Sequence, residues 1–308
     1  MLKGFAITPP VVGRISIGRM VERNGKRLPE KDDQFTITTQ VQNREGWILH
    51  PVDAELRGQT DSGKLRNIPI TLMFNDPDLN LRAEYTFFDR TNGRPVCSGN
   101  GESCQRRTEQ GLERLPCPSP TLCEFGANGL CKPYGRLYVR IGEEDELNSF
   151  IFRTTGFNSI RTLAARLRYY HAVSGGHLST LPLELRLRGK STTLSRRTPI
   201  YYVDITLREG YTLEAAVKEA KAKAATLKAA GVEQAALDQC AHESLANGAF
   251  EADDEEEVFV EEFISSDNDA LAEQESSNNA VYRANGSSGK PRQLTSNEAL
   301  REKLGVQQ

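Results

Sequence analysis

A chain of 308 residues can form one large domain or two modest ones, and with 38% hydrophobic residues its folded part is expected to be smaller than its length. The formal charge of −3 hides a segregation: residues 150–210 hold ten Lys and Arg against three Asp and Glu, whereas 250–263 hold eight acidic residues and no basic one. No stretch approaches the roughly 18 to 20 apolar residues of a bilayer span, and the first ten residues lack a secretory pattern, so a soluble, cytoplasmic protein is expected.

The first 60 residues mix Gly, Pro and charged positions around one strand-like run at 35–41, Phe-Thr-Ile-Thr-Thr-Gln-Val. Two further strands are expected at 68–74 and 83–88, with Asn75-Asp76-Pro77-Asp78 as the reversal between them. After a cysteine-rich segment, 136–141 and 149–153 read as a hairpin around an acidic loop. Asn158 is the expected cap of a helix through Arg161 to His171, ending near Gly175-Gly176. Strands at 181–187 and 200–207 complete an α+β fold with a mainly antiparallel sheet.

Thr212 opens a long helix in which Leu213, Val217, Ala220, Ala224 and Leu227 recur in steps of 4, 3, 4 and 3. Gly231 stops it, and 232–245 reads as a partner helix, packed on its own domain or offered to a partner helix. The acidic run at 251–262, interleaved with Val258, Phe259 and Val260, reads as a solubilising tail or as a peptide for a basic groove. With the Ser-, Asn- and Gly-rich residues after it, it cannot bury enough apolar surface to offset chain entropy. The plan is an α+β domain over 1–210 with a cysteine-rich metal-binding insert at 95–135, a helical hairpin at 211–248 and a disordered acidic tail at 249–308.

Five of the six cysteines, Cys97, Cys104, Cys117, Cys123 and Cys131, crowd into 35 residues, which fits a reducing compartment better than a disulfide scaffold. From Cys104 on, the intervening stretches are twelve, five and seven residues, not a C-x2-C knuckle. Four thiolates complete a zinc tetrahedron at about 2.3 Å each. Neighbouring Gly and Pro, among them Pro116, Pro118, Pro120 and Pro133, give the sharp turns such a site needs. The set Cys104, Cys117, Cys123 and Cys131 is preferred, with Cys97 as a substitute or a nearby free thiol. Zinc in a closed structural site is preferred over an iron–sulfur cluster because nothing else suggests redox chemistry.

The four histidines lie outside the cluster, and no P-loop, G-x-S-x-G or dinucleotide fingerprint occurs. A metal-dependent hydrolase or nuclease would have to use Asp76, Asp78 and His50. Arg161, Arg166 and Arg168 with Tyr169 and Tyr170, then Arg186, Arg188 and Lys190, then Arg196 and Arg197, form a basic stretch suited to phosphates and stacked bases. Arg136 and Arg140 would extend that surface if their strand lay alongside. A single-stranded DNA handling protein, its acidic tail competing for this face, is the third alternative.

The succession Cys117…Cys123…Cys131-Lys-Pro-Tyr-Gly-Arg-Leu, then Phe150-Ile-Phe-Arg-Thr-Thr-Gly-Phe-Asn-Ser, Leu181-Pro-Leu-Glu-Leu-Arg-Leu-Arg and Pro199-Ile-Tyr-Tyr-Val-Asp-Ile resembles the phage recombination directionality factor-like family over about residues 1–210. It is also similar to proteins of integrative elements labelled only hydrolase or metal-binding protein. The resemblance implies a non-enzymatic accessory protein of a mobile genetic element that binds a recombinase or integrase, on DNA, and turns integration into excision. It maps the family's cysteine-rich insert onto Cys104, Cys117, Cys123 and Cys131, with Cys97 an equal match for the first place.

Overall fold

The computed structural model describes residues 10–23, 26–44, 46–89, 93–142, 148–191 and 199–244. These lie in a contact unit that runs Met1–Asp267. Strands β1 (Val11–Arg23) and β2 (Lys26–Asn43) pair antiparallel, and β3 (Gly46–Leu49) adds to the outer edge of β2. The run expected at 35–41 is the inner half of β2. Strand β1 was not foreseen, because its interspersed Gly and Arg residues blur the alternation.

Helix α1 (Pro51–Gly58) was also unforeseen. It is fixed by its ends: Pro51 opens it, and the His50 ring accepts the Val52 N–H at 3.3 Å. Asp53 is 2% exposed; it accepts the Ile37 N–H at 2.8 Å and the Arg57 Nε–H at 2.6 Å. This carboxylate ties α1 to β2.

Strand β4 (Asn67–Thr71) leads to the short helix α2 (Pro77–Asn80) and to β5 (Leu81–Phe88). The expected turn at 75–78 is thus a helix start, capped by Asp76, whose Oδ1 accepts the Asp78 N–H at 2.8 Å. There follow β6 (Pro95–Gly99), β7 (Ser103–Thr108), β8 (Gly111–Pro116), β9 (Cys131–Ile141) and β10 (Ser149–Thr154). The main sheet runs β3-β2-β1-β10-β9-β5-β6-β7-β8, antiparallel throughout except for the parallel pair β1–β10. At its far end β9 also pairs with β4, which begins a second leaf through β11 (Leu183–Lys190) to β12 (Ile200–Leu207).

Helix α3 (Phe157–Ser174) lies on β12, β9 and β5 and buries Ser159, Leu163, Leu167, Tyr170 and Ser174, a stripe of helical spacing. Its N-cap is Gly156 rather than Asn158, while Gly175 ends it at φ 67°, a conformation glycine adopts freely. Gly135 on β9 admits the helix, since a Cβ there would stand 2.9 Å from Ile160 Cγ1.

Thr212 caps α4 (Leu213–Ala229), accepting the Ala215 N–H at 3.2 Å, and α5 (Gln234–Ser244) follows. Helix α4 packs on α3 and a 3-10 turn at Leu178–Thr180, burying Ala216 and Ala220, whereas α5 packs on α2. Each thus docks on the domain rather than forming the expected hairpin. Asp238 of α5 accepts the Asn75 N–H at 3.1 Å, and its burial holds that carboxyl above its ordinary value. The tail expected at 249–308 lies outside the described residues.

Replacing Asp53 by Ala leaves the Ile37 amide and the Arg57 Nε–H without their acceptor, while Arg57 still donates to Gln34 Oε1 and the Phe35 carbonyl. Urea unfolding is expected to show a loss of about 3 kcal/mol. Glu55→Ala, on the exposed side of the same helix, should change stability by less than about 0.5 kcal/mol.

Candidate metal centre

Strand register brings the cysteines together. Arg106 stands beside Cys97, Cys97 beside Phe87 and Phe87 beside Cys131, a single row across β7, β6, β5 and β9. Cys104, Gly99, Tyr85 and Pro133 form the next row on the same face. The chain after β8 folds back over both rows, with Ser119 and Asn128 at φ 70° and 60°, and adds Cys117, Cys123, Phe125 and Gly126. All five cysteines therefore line one pocket of about 310 Å³, mouth included. Cys97, Cys104 and Cys131 are buried in its floor, and Cys117 and Cys123 are half-buried in its roof.

Two glycines make this convergence fit. A Cβ on Gly99 would lie 2.6 Å from Cys104 Cβ and 2.9 Å from Cys117 Sγ; one on Gly126 would lie 2.5 Å from Cys131 Cβ. All three contacts are shorter than packed atoms tolerate, so the roof closes only over bare backbone.

Burial pushes the Cys131 thiol up to about 12, with the charges of Cys97, Cys117, Cys123 and Cys104 adding to it. Cys104 rises to about 11, through burial and then its hydrogen bond to Cys97; its Sγ lies 3.7 Å from the Pro116 carbonyl. Crowded thiols resist ionisation unless a cation shares the space. Arg106 is one such cation. Burial alone would lower its guanidinium, but a hydrogen bond to Cys97 and the charges of Cys97, Cys104 and Cys123 raise it. Its carbon Cζ sits 4.0 Å over the Phe125 ring, and its buried Nε–H has no acceptor among the described residues. The donor set and this orphan N–H both fit a thiolate centre. The thiols are not drawn into a finished shell: among the described residues no group of three His, Cys, Asp or Glu side chains stands ready to hold an ion.

The other residues singled out by sequence have separate employments. Asp76 caps α2 and meets His242 Nε2 at 2.6 Å, Asp78 meets Arg168 at 3.5 Å, and His50 caps α1 with its ring edge-on to Phe150. Arg166 and Arg188 both reach the buried Asp204, at 3.0 and 3.5 Å, and Arg186 Nε meets the buried Glu184 at 2.9 Å. Among the described residues Arg161 and Lys190 carry no ion pair; Arg196 and Arg197 lie outside them. Arg136 and Arg140 do not extend this surface. Arg136 is buried on β9, and Arg140 donates to the Leu72 carbonyl at 2.9 Å.

Arg106 and Phe125 were missed as site residues. The signal was Gly101-Glu102, a Gly-first two-residue turn, with Gly101 at φ 96°, that sets Cys97 opposite Arg106.

A family model described as Gp3-like, recombination directionality factor-like, matches residues 12–208, more than half of the chain. No curated protein and no solved structure matches it.

Gly126→Ala is expected to force the roof away from Cys131. Thermal or urea unfolding should show a loss of about 1–3 kcal/mol, and Cys131 should react faster with a thiol reagent followed by mass spectrometry.

Proposed function

We propose that this chain, which belongs to the recombination directionality factor-like family, is a zinc-stabilised accessory protein of a mobile genetic element that binds a site-specific recombinase and sets the direction of its reaction. The observation that carries the reading is the extent of the family match, which spans the sheet from β1 to β12 with α3 and the whole cysteine region inside it. The match thus covers an entire folded scaffold rather than a detachable motif.

Zinc, when bound, supplies a cross-link between loop and sheet. Four of Cys97, Cys104, Cys117, Cys123 and Cys131, which line one pocket, would hold it. Arg106 offsets part of the negative charge that four thiolates add around a divalent ion. Because the site joins β6, β7, β9 and the returning loop, its work is to fix a surface for a partner, as closed structural zinc sites do.

Protein is the partner placed first. Arg166, Arg186 and Arg188 of the basic stretch are engaged with Asp204 and Glu184, which weakens the case for a phosphate-tracking face there. The roles of Asp76 and Asp78 at a helix start and in an ion pair give no support to a hydrolytic centre.

Elemental analysis of the purified protein is expected to find about one zinc per chain, lost in Cys117→Ser and Cys131→Ser. Iron with visible absorbance would replace zinc by a cluster; no metal would remove this part of the reading. The recombinase encoded on the same element is expected to co-purify with the protein and, in its presence, to favour excision over integration on paired sites. Unchanged direction with no complex would refute the accessory role.

A further inference from the structure

Helix α5 covers a seat that the rest of the fold builds. Met73, Phe74 and Leu79, with Tyr138 of β9 and Ile151 of β10, form a small apolar cluster apart from the main core, and Ala241 of α5 is its sixth buried member. Those five residues lie inside the matched segment 12–208, whereas α5 begins at Gln234. The seat is thus within the family segment and its cover outside it.

The cover is thinly held. Ala241, 2% exposed, is the one buried side chain among the described residues of α5. Gln234 and Asp238 are half-buried, and Leu237, its largest apolar residue, is 39% exposed. Gln234, Asp238 and Ala241 stand at i, i+4 and i+7, a single narrow stripe, with His242 beside it. Polar contacts to one stretch of chain complete the docking. Gln234 Nε2 donates to the Met73 carbonyl at 2.9 Å, Asp238 accepts the Asn75 N–H at 3.1 Å, and His242 Nε2 meets Asp76 Oδ2 at 2.6 Å. The side chains of that last pair are 51% and 32% exposed, where such contacts contribute little. A helix of eleven residues is too short to persist alone in water, so α5 keeps its shape only while seated. Few buried apolar contacts and exposed polar ones mark an element that opens before its domain unfolds.

We infer that the seat of Met73, Phe74, Leu79, Tyr138 and Ile151 is a docking groove for an amphipathic helix of a partner protein, and that α5 is its intramolecular occupant, displaced when the partner binds. The rim selects the helix that fits. The Met73 carbonyl takes a donor such as an amide at i, the Asn75 N–H takes an acid at i+4, the apolar floor takes a small side chain at i+7, and the Asp76 carboxylate takes a base at i+8. Acid and base at i+4 and i+8 fix the direction of the helix as well as its register, because exchanging them would set an acid against Asp76. The groove is therefore shut in the free chain and opens only to a helix that reproduces the pattern of α5.

Hydrogen exchange and peptide binding on the full chain test the groove. The α5 amides are expected to exchange at least about tenfold faster than those of β9 and β10. A fluorescent peptide of residues 232–245 stands in for the partner helix. A chain carrying D238A and H242A, whose own helix has lost two contacts, is expected to bind it about tenfold more tightly than the unaltered chain, where tethered α5 competes. A peptide carrying D238H and H242D, its charges exchanged, should bind neither chain. Saturating peptide should speed exchange of α5 in the unaltered chain and leave β9 and β10 as they were. Protection of α5 equal to that of β9, or loss of the fold in the D238A, H242A chain, would overturn the proposal by making α5 part of the core. Equal binding of the first peptide to both chains, or of both peptides to one chain, would overturn it by removing the competition or the charge pattern. A doubled mass in light scattering, with no site left for peptide, would overturn it in favour of α5 exchanged between copies.

Discussion

A strand with neighbours on both edges and both faces must suit everything it touches, and β9 runs through three environments. Its odd-numbered residues face α3, where Leu137 and Val139 are fully buried in the main core and Gly135 admits Ile160. At its start the same face carries Cys131, so the thiol pocket continues the core by other means. Its even-numbered residues give the opposite face Lys132, Tyr134, Arg136, Tyr138 and Arg140. Because the side-chain period of a strand is two, a slip of one residue would exchange arginines for leucines. Pairing with β5, β10 and β4 together holds that register.

The sheet beyond β5 raises a separate problem of stability. Neither hydrophobic cluster of the described residues draws on β6, β7, β8 or the loop that returns over them. Five thiols, Phe87, Phe125 and the stem of Arg106 occupy the place of a core. Three short strands and a proline-rich loop offset little chain entropy on their own. A structural zinc, worth about 10–16 kcal/mol in small zinc-binding peptides, would hold such a region. The bare-backbone contacts at Gly99 and Gly126 match that role, since they let loop and sheet approach closely.

Much of this was legible from residue order. Ile200–Leu207 and the Thr212 cap stand where β-branched runs and capping chemistry put them, and β9 and β10 pair as foreseen. The density of the cysteines pointed to a common place in the fold, and all five line one pocket. What was illegible depended on partners distant in sequence. Helix α1 rests on a buried Asp53 that reads as an ordinary surface acid until β2 lies beside it. The paired arginines of the basic stretch look free until Asp204, 38 residues from Arg166, arrives on β12. The two C-terminal helices have the spacing of a mutual pair, yet each finds better partners in the domain, α4 through small Ala216 and Ala220, α5 through Asp238 and Gln234, whose Nε2 donates to the Met73 carbonyl.

Amide hydrogen exchange with and without a strong chelator tests most directly whether the thiol site holds the outer sheet. The account predicts that β6, β7, β8 and the loop to Cys131 lose protection on chelation, while Leu137, Val139 and their partners in β10 keep theirs. Equal protection in both conditions would contradict it, leaving the cysteines as buried thiols in a sheet that stands without a metal.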